Sequence, residues 1–330
     1  MSTAWLARER RRGGRGVRSL LRALSLFVPV FVLGTLVTFL LGNLSGLSPA
    51  HLQLGESATP EAVARIEHEW GLDRPFVVQY AAWFARLAEG DLGSSWYNGH
   101  SIADLLLGRA VISLSVAGLA LAVGIAVGFA LGTLAALTHT SWIDRAITAF
   151  TTFISVMPSF VVGIVLVTIF SVTFGLLPSA GYVAFEDGFW PWLSHLILPA
   201  LALSFDTIAD LARQLRAGLV SAYRENYVLG ARLRGLSERR IFFVHVLRNG
   251  IAPAVTVLGM KFPNLLGGAV VTEAIFGLSG YGRFANESAL RGDVPAVQGV
   301  LVVSIALVIV FNVLVNAILN RVIPTAQRGV

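Results

Sequence analysis

Ala110–Leu137 reads AVISLSVAGLALAVGIAVGFALGTLAAL, and it carries no charged side chain. A helix needs roughly 20 apolar residues to cross about 30 Å of hydrocarbon. This run is long enough to span a bilayer with tilt or to extend beyond it. Apolar residues fill nearly every position, without the strict alternation of a barrel strand. Working outward, further apolar runs fall near Leu20–Leu41, Ala146–Leu176, Leu193–Leu211, Ile251–Thr272 and Val297–Leu319, the fourth of these being the weaker. Of the 330 residues 55% are hydrophobic and 13% charged, about half the charge of an ordinary soluble domain. The expectation is an all-α polytopic membrane protein with six transmembrane helices.

Charge sets the orientation. Residues 1–19 are basic, and Arg8 to Arg22 face one acid, Glu9. The apolar run that follows resembles a signal peptide, but it is long and lacks an A-x-A site, so an uncleaved first span at residues 20–41 is expected. Residues 42–109 are acidic, from Glu56 to Asp104, and the loop with Glu186 and Asp187 holds no base. The loop at residues 213–250 is basic again, and the tail at residues 321–330 carries Arg321 and Arg328. Lys/Arg excess alternates with the spans, which places both termini in the cytoplasm. The net charge of +6 therefore needs no nucleic acid, because a basic tail beside a span holds that end inside and touches anionic lipid. The chain has no cysteine, so disulfides and thiol chemistry are excluded.

The outer segment at residues 42–109 holds helix signals. Thr59 is placed as an N-cap, Pro60 in the first turn and Gly71 as the stop of a helix over Thr59–Trp70. Phe76–Leu87 shows helical apolar spacing and suits a helix on the membrane surface. So short a segment makes a cap rather than an independent domain.

The basic loop is YRENYVLGARLRGLSERRIFFVHVLRNGIAP, Tyr223–Pro253. Leu229, Leu233 and Leu236 lie on one face of a short helix, Gly235 turns the chain, and Ser237 caps the next helix. Such a piece can insert into a partner's groove and transmit a push. An ordinary solvated, positive-inside loop would show the same charges. The loop resembles the cytoplasmic coupling loop of ABC-transporter permeases of the dipeptide/oligopeptide family. Tyr227-Val228, Ala231-Arg232, Arg234, Gly235-Leu236-Ser237, His245, Arg248-Asn249 and Pro253 carry the likeness, while Leu229, Gly230 and Leu233 depart from it. Gly71-Leu72-Asp73-Arg74-Pro75, Pro158-Ser159-Phe160, Gly267-Gly268-Ala269-Val270-Val271 and Gly280, Gly282, Arg283, Asp293 and Pro295 extend the likeness along the chain, with Ser279 in place of a usual Pro. The resemblance is to the first (B-type) permease of a type I importer, and it covers residues 110–320 together with the first span and the cap. It implies a second homologous permease, two cytoplasmic ABC ATPases, an extracytoplasmic substrate-binding protein, and a bacterial cytoplasmic membrane. It also implies that Asn226, Tyr227, Ala231, Arg232, Arg234, Gly235 and Leu236 meet the ATPase.

Polar residues inside the apolar runs are costly and face a bundle interior or a water path. Asp206 and Asp210 share one face of the fourth run with Arg213 one turn on, as an ion pair or as path residues. Lys261, the only lysine, sits mid-way along the fifth run beside Pro263 and Asn264, lining a path, snorkelling or pairing with a partner subunit's acid. Glu273 stands towards the outer end of that run, at an outer gate or paired with Arg283.

Other motifs carry less. Gly277-Leu278-Ser279-Gly280 fits the G-x-S-G of intramembrane serine proteases, but no His follows Ser279 to activate it. The His residues show no metal-ligand spacing, and Asn286-Glu287-Ser288 fits a glycosylation sequon that arises readily by chance. No G-x-x-x-x-G-K-[S/T] is present, so ATP and Mg would be bound by partner subunits and not by this chain. The competing reading is a self-contained proton- or sodium-coupled transporter relaying through Asp206, Asp210, Lys261 and Glu273.

Overall fold

The structure is a computed structural model that describes residues 28–44 and 48–322. The basic N-terminal tail, the start of the first expected span and most of the C-terminal tail lie outside the described residues. The helices are α1 (Val28–Leu44), α2 (Pro49–Leu54), α3 (Pro60–Trp70), α4 (Phe76–Ala88), α5 (Ile102–Leu137), α6 (Trp142–Ser155) and α7 (Ser159–Leu166), then α8 (Phe189–Tyr223), α9 (Asn226–Leu233), α10 (Glu238–Arg240), α11 (Leu247–Gly250), α12 (Ala252–Ile275), α13 (Tyr281–Leu290) and α14 (Val294–Val322). π-helical stretches at Val167–Thr173 and Ile241–Val246 extend α7 and join α10 to α11. Among the described residues there is no strand, only an isolated bridge between Ser94 and Ser101.

By length and composition α5, α8, α12 and α14 can each cross a membrane, and the count rises to six if two bent helix pairs are each one span. The expected third span, Ala146–Leu176, is one of these pairs: α6 and α7 meet at 100°. Pro158 explains the corner, because it has no N–H to donate and drives Met157 out of helical geometry. The fourth span is much longer than the expected Leu193–Leu211. At 35 residues, α8 measures about 50 Å against about 30 Å of hydrocarbon.

The first compact unit comprises the described residues up to Leu105 together with Ser288–Ile305. Thr59 Oγ1 accepts the Ala62 N–H at 3.2 Å, Pro60 opens α3, and Gly71 closes it in left-handed geometry at φ 72°. Buried Trp83 of α4 packs with Phe39, Tyr80 and Val294. Polar contacts fix the register: Gln298 Nε2 donates to the Thr35 carbonyl at 2.8 Å, and Thr35 Oγ1 lies 2.9 Å from the Tyr80 hydroxyl. Asp293 accepts from Ser95 Oγ and from the Trp96 N–H.

The second unit comprises Leu106–Glu287 with the described residues from Ala306 on. Its centre is α8, which packs on α12, α6, α7 and α11. Gly124, Gly128 and Gly132 of α5 lie against α8. A Cβ on Gly124 would meet Thr207 at 2.6 Å, and one on Gly132 would meet the Ala212 carbonyl at 2.7 Å. Small residues one turn apart let helix backbones approach where no hydrophobic force drives helices together.

Candidate functional site

The helical loop after α8 is built on an apolar seat. Val228 and Ala231 of α9 are buried among Leu219, Ala222, Ile241 and Val246. Ala231 is 0% exposed, so it seats α9 and does not offer a surface to a partner. Leu236 also packs inward, half-buried against the same cluster. The opposite face carries Leu229, Leu233 (81% exposed), Asn226 and Arg234. Leu229, Leu233 and Leu236 therefore do not act as one face: two point out and one points in. The two leucines, at i and i+4, form an exposed apolar ridge on this short helix.

The turn after α9 is braced. Gly235 takes φ 74°, a left-handed geometry that suits glycine. Arg232 Nε and Nη2 reach Glu238 Oε1 and Oε2 at 2.7 and 3.2 Å, a bidentate clamp across the turn. The Arg232 guanidinium holds the Glu238 carboxyl below its usual range. Ser237 Oγ accepts the Arg240 N–H at 3.4 Å and caps α10. Tyr227 faces the His245 ring at a centroid distance of 6.5 Å, and Asn249 donates to the His245 carbonyl at 2.7 Å. The returning chain then locks onto α8: a Cβ on Gly218 would fall 2.1 Å from the Gly250 carbonyl oxygen. The loop is thus packed onto α8 at backbone contact distance.

A second clamp was not legible in the sequence. Asp144, at the start of α6, is buried and receives Arg216 Nη2 of α8 at 2.7 Å and the Thr140 N–H at 3.0 Å. His139 Nδ1 lies 3.3 Å from the same carboxylate. Ser141 and Asp144 show the spacing of a helix start, but nothing local pointed to Arg216, far along the chain.

The mid-bundle charges come together. Lys261 of α12 donates to Asp206 at 2.6 Å and to Asp210, and Arg213 also bonds Asp210. Arg213 Nη1 reaches Ser155 Oγ at 3.2 Å. Lys261 therefore finds its acids within this chain. Its side chain is 7% exposed, whereas that of Asp206 is 56% exposed. Asn264, one turn on along α12, is exposed. Glu273 is 1% exposed and stands apart from this group. Its carboxylate accepts from Ser113 Oγ and from the Arg283 N–H at 2.7 Å, while Ser113 accepts the Tyr281 N–H at 2.7 Å. It caps the positive end of α13. The Arg283 guanidinium turns instead to Glu287 at 2.7 Å.

A helical bundle with several apolar helices long enough to cross a membrane, and a braced loop packed on its central helix, has the architecture of an integral-membrane subunit. Residues 128–328 match the family described as "Binding-protein-dependent transport system inner membrane component". Residues 17–117 match the N-terminal model of such membrane components. The chain belongs to this family of binding-protein-dependent transport permeases. It is 38% identical over 308 residues to a putative peptide transport system permease protein of Brucella abortus (strain 2308), covering 93% of this chain and 98% of that one. It is 34% identical over 330 residues to the di/tripeptide transport system permease protein DppB of Pseudomonas aeruginosa (strain UCBPP-PA14), covering 93% and 98%. Among solved structures it is similar in fold to the inward-facing MetNI methionine ABC transporter, with TM-score 0.55 and 17% identity over 67% of this chain and 97% of that one. The protein is accordingly a multi-pass inner-membrane permease subunit, not itself catalytic. As a family member it works with other ABC components, which include ATPases and a substrate-binding protein.

Proposed function

We propose that this chain forms half of the translocation path of an ATP-driven importer for peptides. The observation that carries the proposal is 38% identity, over 93% of the chain, to a peptide transport system permease. A second homologous permease would complete the path, two ATPases would dock from the cytoplasm, and a binding protein would deliver substrate outside. ATP and Mg would be held by those ATPases. The alternation of basic and acidic segments supports cytoplasmic termini.

In this reading Leu229, Leu233, Asn226, Tyr227 and Arg234 face the ATPase. Arg232 and Gly235 keep the turn in shape, and Ala231 and Leu236 fasten α9 to the bundle. Closure of the ATPases moves α9, and the Gly218–Gly250 contact passes that motion to α8 and α12. Nucleotide then favours one of two bundle states. Asp206, Asp210, Lys261 and Asn264 are proposed to border the path, with Glu273 holding the outer linker.

The test is peptide uptake by the assembled complex in proteoliposomes. Uptake should require ATP inside and survive collapse of ion gradients. Gly235→Pro and Arg232→Glu should leave insertion intact and separate ATP hydrolysis from uptake. Uptake driven by a proton or sodium gradient without ATP would overturn the proposal, and normal uptake by both variants would remove the loop from it.

A further inference from the structure

A cleft of about 690 Å³ opens beside the docking loop, walled by the C-terminal ends of α5 and α8 and by the π-helical turn before α11. Its floor is apolar, with Ala136, Val220 and Phe242. Leu137 and Phe243 stand exposed at its lip. Arg224, Arg232 and Arg239 line it against a single acid, Glu238. Arg232 is committed to Glu238. Arg224 and Arg239 are exposed and have no partner among the described residues.

One more group in the wall lacks a partner. The buried Thr133 Oγ1 makes no hydrogen bond, although a helical threonine ordinarily bonds the carbonyl one turn back. The cleft thus combines two free guanidiniums with an apolar floor that opens past exposed Leu137 and Phe243. That combination matches an amphiphile with an anionic head. The two helix C-termini in the wall carry partial negative charge, so the attraction comes from the arginines, which bind phosphate in bidentate fashion.

We infer that this cleft is a site for an anionic phospholipid of the cytoplasmic leaflet, with its phosphate on Arg224 and Arg239 and its acyl chains over Leu137 and Phe243. The inference rests on the cytoplasmic placement of this loop proposed above. Basic pockets beside spans on that side collect anionic headgroups. A lipid seated there fills the joint between the docking loop and the ends of α5 and α8. It would stiffen the piece through which ATPase motion must pass.

The test is native mass spectrometry of the delipidated, assembled importer, so it reads lipid occupancy whatever the solute transported. Phosphatidylglycerol, phosphatidylethanolamine and soluble glycerol phosphate are each titrated. Wild type and the control Arg240→Gln should retain phosphatidylglycerol, and phosphatidylethanolamine should not be retained. Arg224→Gln/Arg239→Gln should weaken retention on the order of 10-fold or more, from the attraction of each basic residue near an anionic surface. Phe243→Ser, a change at an exposed position, should weaken phosphatidylglycerol as well. Undiminished retention by both variants would overturn the site. So would glycerol phosphate binding as tightly as the lipid, which would make free phosphate the ligand. Loss of the lipid whenever the ATPases are bound would overturn it too, and would assign the cleft to them.

Discussion

Lys261→Met and Asp206→Asn/Asp210→Asn remove opposite halves of one ion network, and the structure ranks their costs. The Lys261 side chain is 7% exposed and is the deeply buried member; Asp206 is 56% exposed and Asp210 29%. Removing the lysine deletes the charge that is costliest to bury. Asp210 then keeps Arg213, and Asp206 is the most exposed of the three. With Asp210 still paired, the loss should be about 1 kcal/mol, the upper end for partly exposed pairs. Removing both carboxylates strands an ammonium in the bundle. Breaking a buried pair from that side costs about 3–5 kcal/mol. The triple variant, with Met between two Asn, should recover most of the larger loss, since the trio then holds no buried charge. The measurement is reversible unfolding of the purified protein in mixed micelles, titrated with a denaturing detergent at fixed lipid. The expected order of stability is wild type, Lys261→Met, triple variant, then Asp206→Asn/Asp210→Asn. If the double Asn variant proves as stable as wild type, or less damaged than Lys261→Met, the buried ammonium does not govern this site and the reasoning fails.

Gly218→Ala should separate the returning loop from α8, because its Cβ would lie 2.1 Å from the Gly250 carbonyl. Overpacking of this kind costs about 1–3 kcal/mol, and a cysteine cross-link placed across the two backbones should form more slowly. Glu273→Ala leaves the Arg283 N–H and the Ser113 hydroxyl without their acceptor. It should lower stability by about 1–3 kcal/mol and raise proteolysis between α12 and α13, whereas Glu273→Gln should lose less. The Arg232–Glu238 clamp makes a pH prediction. Glu238 is depressed from 4.5 by the Arg232 hydrogen bond, so its contribution is present above about pH 4.5 and is lost as pH falls through the lowered value. The gap in thermal midpoint between wild type and Arg232→Gln should therefore be constant from near neutrality down to mildly acidic pH and close only in stronger acid. A gap that grew on acidification would contradict the sign.

Much of the loop was readable locally. Gly235 and Ser237 lie where a turn and a cap belong, and both play those parts. Thr59, Pro60 and Gly71 likewise delimit α3 as their chemistry suggests. Leu229 and Leu233 share the outward face that their spacing suggests, but Leu236 leaves it. The core is met by Val228 and Ala231, and only the packing of α9 reveals which face turns inward. The Gly124, Gly128 and Gly132 spacing was present in the opening run and is a recognised mark of close helix approach. It passes unnoticed when the run is read for hydropathy alone.

Hydropathy and charge are sums over neighbours in the chain. The sequence by itself therefore settled the helical class, the apolar spans, the alternation of basic and acidic segments, and the basic loop with its glycine turn. Partners across long separations are chosen by packing, and only the tertiary structure decided those. It bent α6 from α7 at Pro158, joined Asp144 to Arg216, and gave Lys261 both Asp206 and Asp210. It also turned Glu273 into a cap for α13. In each case a buried polar group must find a partner, and which partner it finds depends on where the other helices lie.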